Sequence, residues 1–296
     1  MHLNNIHPIM NDRSNFIAYT VFKKYWNRLF SIICLTVGVL LSSSCEKEID
    51  IELKGADQRY VIEGVITDQE GGCKVLISKT KDFNDDNSRV TVTGAQVFIS
   101  EGAETHELQE TEVGTYTAPT LRGLEGHTYN LRVQIGTEIF TSSSTMPALV
   151  KMDSLYIVDD LIFGDNYKLP TIDFQDPANV VNSYRFLLYV NGVKKKQIFV
   201  INDELSNGKA NSIRLYADVG EDEDNPENRR IRSGDLVRVE MLGIDQAVYK
   251  YFFSLDNSAT GENQSATPSN PVSNIQGNAL GYFSAHNIQS KEISVP

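Results

Sequence analysis

An all-β fold, mainly antiparallel, is what this chain predicts, and three observations predict it. Short runs of apolar residues recur between positions 60 and 145, several in strict alternation with polar ones, and Gly, Asp or Asn turn residues separate them. That is the pattern of half-buried strands. An Asn191-Gly192 pair stands between two further strand-like runs. Only near 245–256 does the spacing change to i, i+3, i+4, i+7, the period of an amphipathic helix. The expected architecture is therefore an immunoglobulin-like β-sandwich over 58–147, followed by a larger β domain over 148–296 with that one helix.

In order along the chain, residues 60–67 make a strand closed by the turn residues Asp68-Gln69-Glu70-Gly71-Gly72. Strands follow at 74–80 and 95–99, with the polar loop 82–87 between them, and the next begins at 114–118. Residues 129–135 alternate strictly, and Gly136 turns the chain into a strand at 138–141. No Cys…Trp…Cys pin is present, so this is not an antibody-class sandwich. Met146-Pro147-Ala148 marks a boundary, because Pro cannot continue a ladder. Longer, more aromatic strands begin at Leu155. Residues 183–190 and 193–201 flank Asn191-Gly192, the strongest short hairpin signal, since both turn residues take positive φ. Strands are also expected at 212–217 and 236–241. Asp245 then caps a helix whose stripe is Val248, Tyr251, Phe252 and Leu255, a pattern that belongs to a core more often than to a ligand box. After a long loop at 260–278, residues 280–285 return to the sheet as a final strand.

The first 44 residues read as a lipoprotein signal peptide. Lys23, Lys24 and Arg28 precede the apolar run 29–41, and Ser42-Ser43-Ser44 leads into Cys45. A basic flank, a short apolar core and small residues before the cut define such a leader, and the run is too short to span a bilayer. The basic flank begins late, which points to Met10 as the start. Leu41-Ser42-Ser43-Ser44-Cys45 resembles a relaxed bacterial lipobox, making Cys45 the expected lipidation site and its acyl chains the expected link to the membrane. The acidic tether Glu46-Lys47-Glu48-Ile49-Asp50, within 45–57, also resembles a surface-export signal.

The full chain carries 27 Lys+Arg against 39 Asp+Glu, a net charge of −12. Removing 1–44, with Arg13, Lys23, Lys24 and Arg28 against Asp12, takes this to −15. Such a balance argues against nucleic acid as a partner. Cleavage would leave Cys73 as the only free thiol, read as a core residue of a strand.

No catalytic, cofactor or metal site is expected. His106, His127 and His286 have no second ligand at metal spacing, and no nucleophile elbow, phosphate loop or dinucleotide motif is present. The acidic run from Asp218 to Glu227 admits a calcium loop but lacks the alternating ligand spacing, so a solvated loop is the favoured reading. Lys194-Lys195-Lys196 are read as exposed strand ends.

Several stretches together carry a resemblance. These are Cys45 with its Glu-Lys-Glu-Ile-Asp tether, Tyr60-Val61-Ile62-Glu63-Gly64, Gly94-Ala95-Gln96-Val97 and Gly114-Thr115-Tyr116. The most specific are Pro271-Val272-Ser273-Asn274-Ile275 and Gly277-Asn278-Ala279-Leu280-Gly281-Tyr282-Phe283-Ser284-Ala285. Over the whole mature chain this resembles the domain of unknown function 4249 family of Bacteroidota outer-membrane lipoproteins. Asn278 departs from the family, which often has a second glycine there. The resemblance implies an acylated outer-membrane protein commonly encoded near TonB-dependent receptors, with no catalytic residues to carry over. The expected function is thus a surface-exposed lipoprotein that binds or docks as an accessory to a TonB-dependent uptake receptor, without catalysis. A structural or adhesive envelope scaffold is the alternative, and a hydrolase with a dispersed site near the 260–278 loop ranks last.

Overall fold

Alternation becomes strand throughout the N-terminal half. In the computed structural model, which describes residues 58–81, 89–162, 164–217, 230–260 and 270–296, this half contains β1 (Tyr60–Thr67), β2 (Lys74–Lys79), β3 (Val90–Thr91), β4 (Gln96–Glu101), β5 (Glu104–Glu112), β6 (Thr115–Thr117), β7 (Thr128–Ile135) and β8 (Glu138–Thr145). The expected leader, Cys45 with its expected tether, and the acidic run at 218–227 lie outside the described residues. β7 shows the logic: Tyr129, Leu131 and Val133 are buried while Thr128 and Asn130 face out. Ile62, Ile66, Val75 and Ile77 from β1 and β2 share one core with Val97, Ile99, Leu131, Val133 and Phe140 from β4, β7 and β8. The result is a sandwich-like pair of layers. Cys73 lies fully buried in this core as expected, and burial pushes its thiol up to about 12, away from nucleophilic use.

The second half continues with β9 (Met152–Ile162), β10 (Asp165–Gln175), β11 (Ser183–Val190), β12 (Val193–Lys194), β13 (Phe199–Asn202), β14 (Ala210–Arg214), β15 (Leu236–Ile244), the helix α1 (Gln246–Thr260) and β16 (Leu280–Ser294). β14, β10 and β9 form a separate three-stranded sheet. Its side chains Ile172 and Phe174 pack with Tyr184, Phe186, Leu188 and Val190 from one face of β11. Fully burying a side chain such as Phe186 contributes roughly 1.5–3 kcal/mol. The other face of β11 carries Arg185 and Leu187, and α1 covers that side. Asn191 and Gly192 take φ of 51° and 82°, the hairpin geometry their identities predicted.

β16 joins the two halves. Residues Leu280–His286 pair in parallel with β1, and Asn287–Ser294 pair antiparallel with β15. Every other pairing of the described strands is antiparallel. Phe283 and Ala285 therefore lie in the same core as Ile62 and Val75. The side chains of Asn287 and Gln289 donate to the carbonyls of Pro147 and Val150, holding the connecting segment against the strand.

α1 follows the expected stripe, with Val248, Tyr251 and Phe252 buried and Leu255 packed against them. Asp245 caps it: Oδ1 accepts from the Val248 amide at 2.9 Å, while Oδ2 accepts from the Ser144 hydroxyl and the Thr145 amide. One carboxylate thus ties the helix start to the end of β8. Asp245→Ala removes the cap and strands the Ser144 and Thr145 donors, so denaturant unfolding is expected to report a loss of about 2–3 kcal/mol. Asp245→Asn, which keeps one acceptor, is expected to lose about half of that.

Candidate functional site

The hairpin after β11 does not continue as one strand. Val190 pairs with Val193 and Tyr189 with Lys194, but Phe186 pairs with Phe199. Two residues of β11 therefore oppose four residues, 195–198, and the excess leaves the ladder as a bulge. The expected strand over 193–201 is thus interrupted in its middle. Lys195, expected at an exposed strand end, is only 3% exposed and donates its amide to the Leu188 carbonyl at 2.8 Å. Lys194, still in the ladder, and Lys196 remain exposed as expected, so the bulge buries Lys195 alone.

Between this bulge, the outer face of β11 and α1 lies a pocket of about 380 Å³. Leu187, Ile198 and Leu255 supply apolar wall, and Tyr251, Phe252 and Tyr282 supply rings. Those rings form a cluster, with Tyr282 centred 4.9 Å from Tyr251 and 4.8 Å from Phe252. Arg185 lies across it: its guanidinium carbon is 3.5 Å from the Phe252 ring centroid, a stacked cation–π contact. Its Nε is buried and has no hydrogen-bond acceptor among the described residues. Lys194, Lys195 and Lys196 also line the pocket, against one carboxylate, Glu63, which pairs with Arg89 at 3.3 Å.

The charges here are felt by their neighbours. Burial lowers the Arg185 guanidinium from its ordinary value, and the hydroxyl of Tyr282 counters that. Arginine still stays charged at neutral pH. Burial and the adjacent Arg185 lower Lys194 as well, with Glu240 opposing. Tyr251 is pushed up to about 12 by burial first and then by the Glu63 charge, so it stays a neutral donor. The pocket is cationic and aromatic within an acidic chain. It can hold an anionic group.

The residues singled out in the sequence lie elsewhere. His106 is on β5 near Glu104, and His127, in the turn before β7, contacts Glu101. His286 is buried on β16, with Nδ1 2.9 Å from the Ser284 hydroxyl. This Ser–His contact is sealed in the interior, Ser284 being 1% and His286 6% exposed, and it lines neither described pocket. Among the described residues no cluster of three His, Cys, Asp or Glu side chains could hold a metal.

The described part of the expected 260–278 loop, residues 270–278, is clasped to the sheet. Asn274 exchanges two hydrogen bonds with the Phe283 backbone, at 2.8 and 2.9 Å, and the Ser273 hydroxyl donates to the Gly281 carbonyl. Gly277 and Asn278 both take positive φ, 97° and 67°. Asn tolerates that conformation better than other non-glycine residues.

A larger hollow of about 630 Å³ lies on the outer faces of β4, β5, β7 and β8, lined by Phe98, Ser100, Thr105, Asn130, Arg132, Thr141 and Ser143. Its one charge, Arg132, is already bonded to Gln134 at 2.7 Å. The smaller pocket concentrates the chemistry. Alternation could not reveal it, because Arg185 reads as an ordinary outward strand residue and the register excess leaves no mark in the sequence.

The sequence model of a family described as a domain of unknown function, DUF4249, matches residues 46–292. No curated protein matches the chain.

Proposed function

Taking as premise that the chain belongs to the DUF4249 family of domains of unknown function, we propose that it is an outer-membrane lipoprotein, displayed at the cell surface. It serves as a binding and docking accessory of a TonB-dependent uptake receptor and not as an enzyme. The observation that carries this reading is Cys45, placed directly after an apolar run and three small residues and directly before the family match at 46. Acyl chains on that sulfur anchor firmly, because two or more chains bury enough CH₂ groups for stable attachment. The cationic, aromatic pocket supports a binding role in the folded unit, and the net negative charge suits a soluble module beside a membrane.

Labelled palmitate fed to cells producing the protein is expected to enter it. Cys45→Ser is expected to abolish labelling and to shift the protein from membrane to soluble fractions by about tenfold or more. Detergent extraction of a tagged copy is expected to recover an outer-membrane barrel. Recovery of self-associated protein without any barrel would instead favour an envelope scaffold. Protease shaving of intact cells is expected to cut the protein, and an uncut chain would place it on the periplasmic face.

A further inference from the structure

We infer that the pocket between the 195–198 bulge and α1 binds a small organic oxyanion, a carboxylate or phosphate carried on an apolar or aromatic body. The inference deepens the ligand-binding part of the proposed function and rests on neither the anchor nor the receptor. Its first support is the state of Arg185. Phe252 covers one face of the guanidinium at 3.5 Å, and the Tyr282 hydroxyl accepts from part of its N–H edge, which still leaves a donor there for a further acceptor. The buried Nε–H on that edge has none among the described residues. A buried donor left unpaired is costly. An oxyanion is the acceptor that matches a guanidinium best, through charge and paired N–H···O bonds.

The second support is the sign of the surroundings. Arg185, Lys194, Lys195 and Lys196 converge on this pocket in a chain of net charge −12, and the one lining carboxylate, Glu63, is engaged with Arg89. The third is the rest of the wall. Leu187, Ile198, Leu255 and the Phe252 and Tyr251 rings face the same space, which a bare inorganic ion would leave unfilled. A volume of about 380 Å³ suits a ligand of small-molecule size. The charge fixes the head of the ligand and the rings fix its body.

Calorimetric titration of the full chain in detergent micelles tests this with four probes: benzoate, phenyl phosphate, inorganic phosphate and benzyl alcohol. Benzoate or phenyl phosphate is expected to bind saturably below about 10 mM, with benzyl alcohol and inorganic phosphate about tenfold weaker or worse. Which aryl anion wins separates a carboxylate from a phosphate ligand. Arg185→Met is expected to weaken the better probe about tenfold or more. Lys194→Glu, at an exposed position on the same pocket, is expected to weaken it about fivefold, and it keeps the test valid should Arg185→Met fold poorly. Benzyl alcohol binding as tightly as the aryl anions would overturn the inference, as would inorganic phosphate matching phenyl phosphate. So would the absence of saturable anion binding, or unchanged affinity in a folded Arg185→Met or in Lys194→Glu. Any of these would leave palmitate labelling and receptor capture unaffected, so the two readings fail separately.

Discussion

Gly281→Ala is expected to prevent the protein from folding stably, a loss of about 4 kcal/mol or more. Gly281 pairs with Ile62 in the parallel ladder between β1 and β16 and has a φ of 99°. A Cβ built there would lie 2.0 Å from the Ile62 carbonyl oxygen and 2.7 Å from its carbon. Both atoms are backbone, so no side chain can swing away. The strands would have to part at the place where β16 closes the N-terminal core with Phe283 and Ala285. Gly126→Ala is the matched control. It also has positive φ, 77°, but a Cβ there would meet nothing within 4 Å, so only the conformational cost of about 1–2 kcal/mol is expected. Urea unfolding of both variants separates close approach from backbone strain. Equal losses in the two would refute the packing account of Gly281.

Gly281 also illustrates how far the sequence can be read. Where burial follows local alternation, as in β7 and β11, or where a turn has its own chemistry, as at Asn191-Gly192, strands and hairpin are visible in the residues themselves. The helix stripe and its Asp245 cap are equally local. The parallel partnership of residues 61–67 with 280–286 is not. It joins segments more than two hundred positions apart, and alternation says which face is buried without saying against what. The glycine in Leu280-Gly281-Tyr282-Phe283 stands in the sequence as part of a pattern, but its reason is the Ile62 carbonyl. The pocket fared worse for the same reason. Its arginine comes from the outward face of β11, its rings from α1 and β16, and its lysines from β12 and the bulge that follows it, so no single segment carries its signature.

The second large effect is a loss of stability as pH falls, traced to His286. The imidazole is buried on β16, with the Ser284 hydroxyl 2.9 Å from Nδ1. Burial, reinforced by the nearby positive charge of Arg185, brings its pKa from 6.5 down to about 3, and Ser284 only partly opposes this. The folded protein thus keeps the ring neutral where the unfolded chain protonates it. Stability on this account is full above pH 6.5 and falls as pH drops from 6.5 toward about 3. The slope approaches one proton, about 1.4 kcal/mol per pH unit, and amounts to about 2 kcal/mol between pH 7 and pH 5. Glu101, Glu110 and Asp173 are held below their ordinary carboxylate values in the folded state and act in the same direction, but at lower pH. Comparison above pH 5 therefore isolates the histidine. His286→Gln retains a hydrogen-bonding partner for Ser284 and cannot titrate, so the difference in unfolding free energy between it and the natural chain should change by about 2 kcal/mol from pH 7 to pH 5. A constant difference across that range would mean that the buried ring accepts its proton without unfolding.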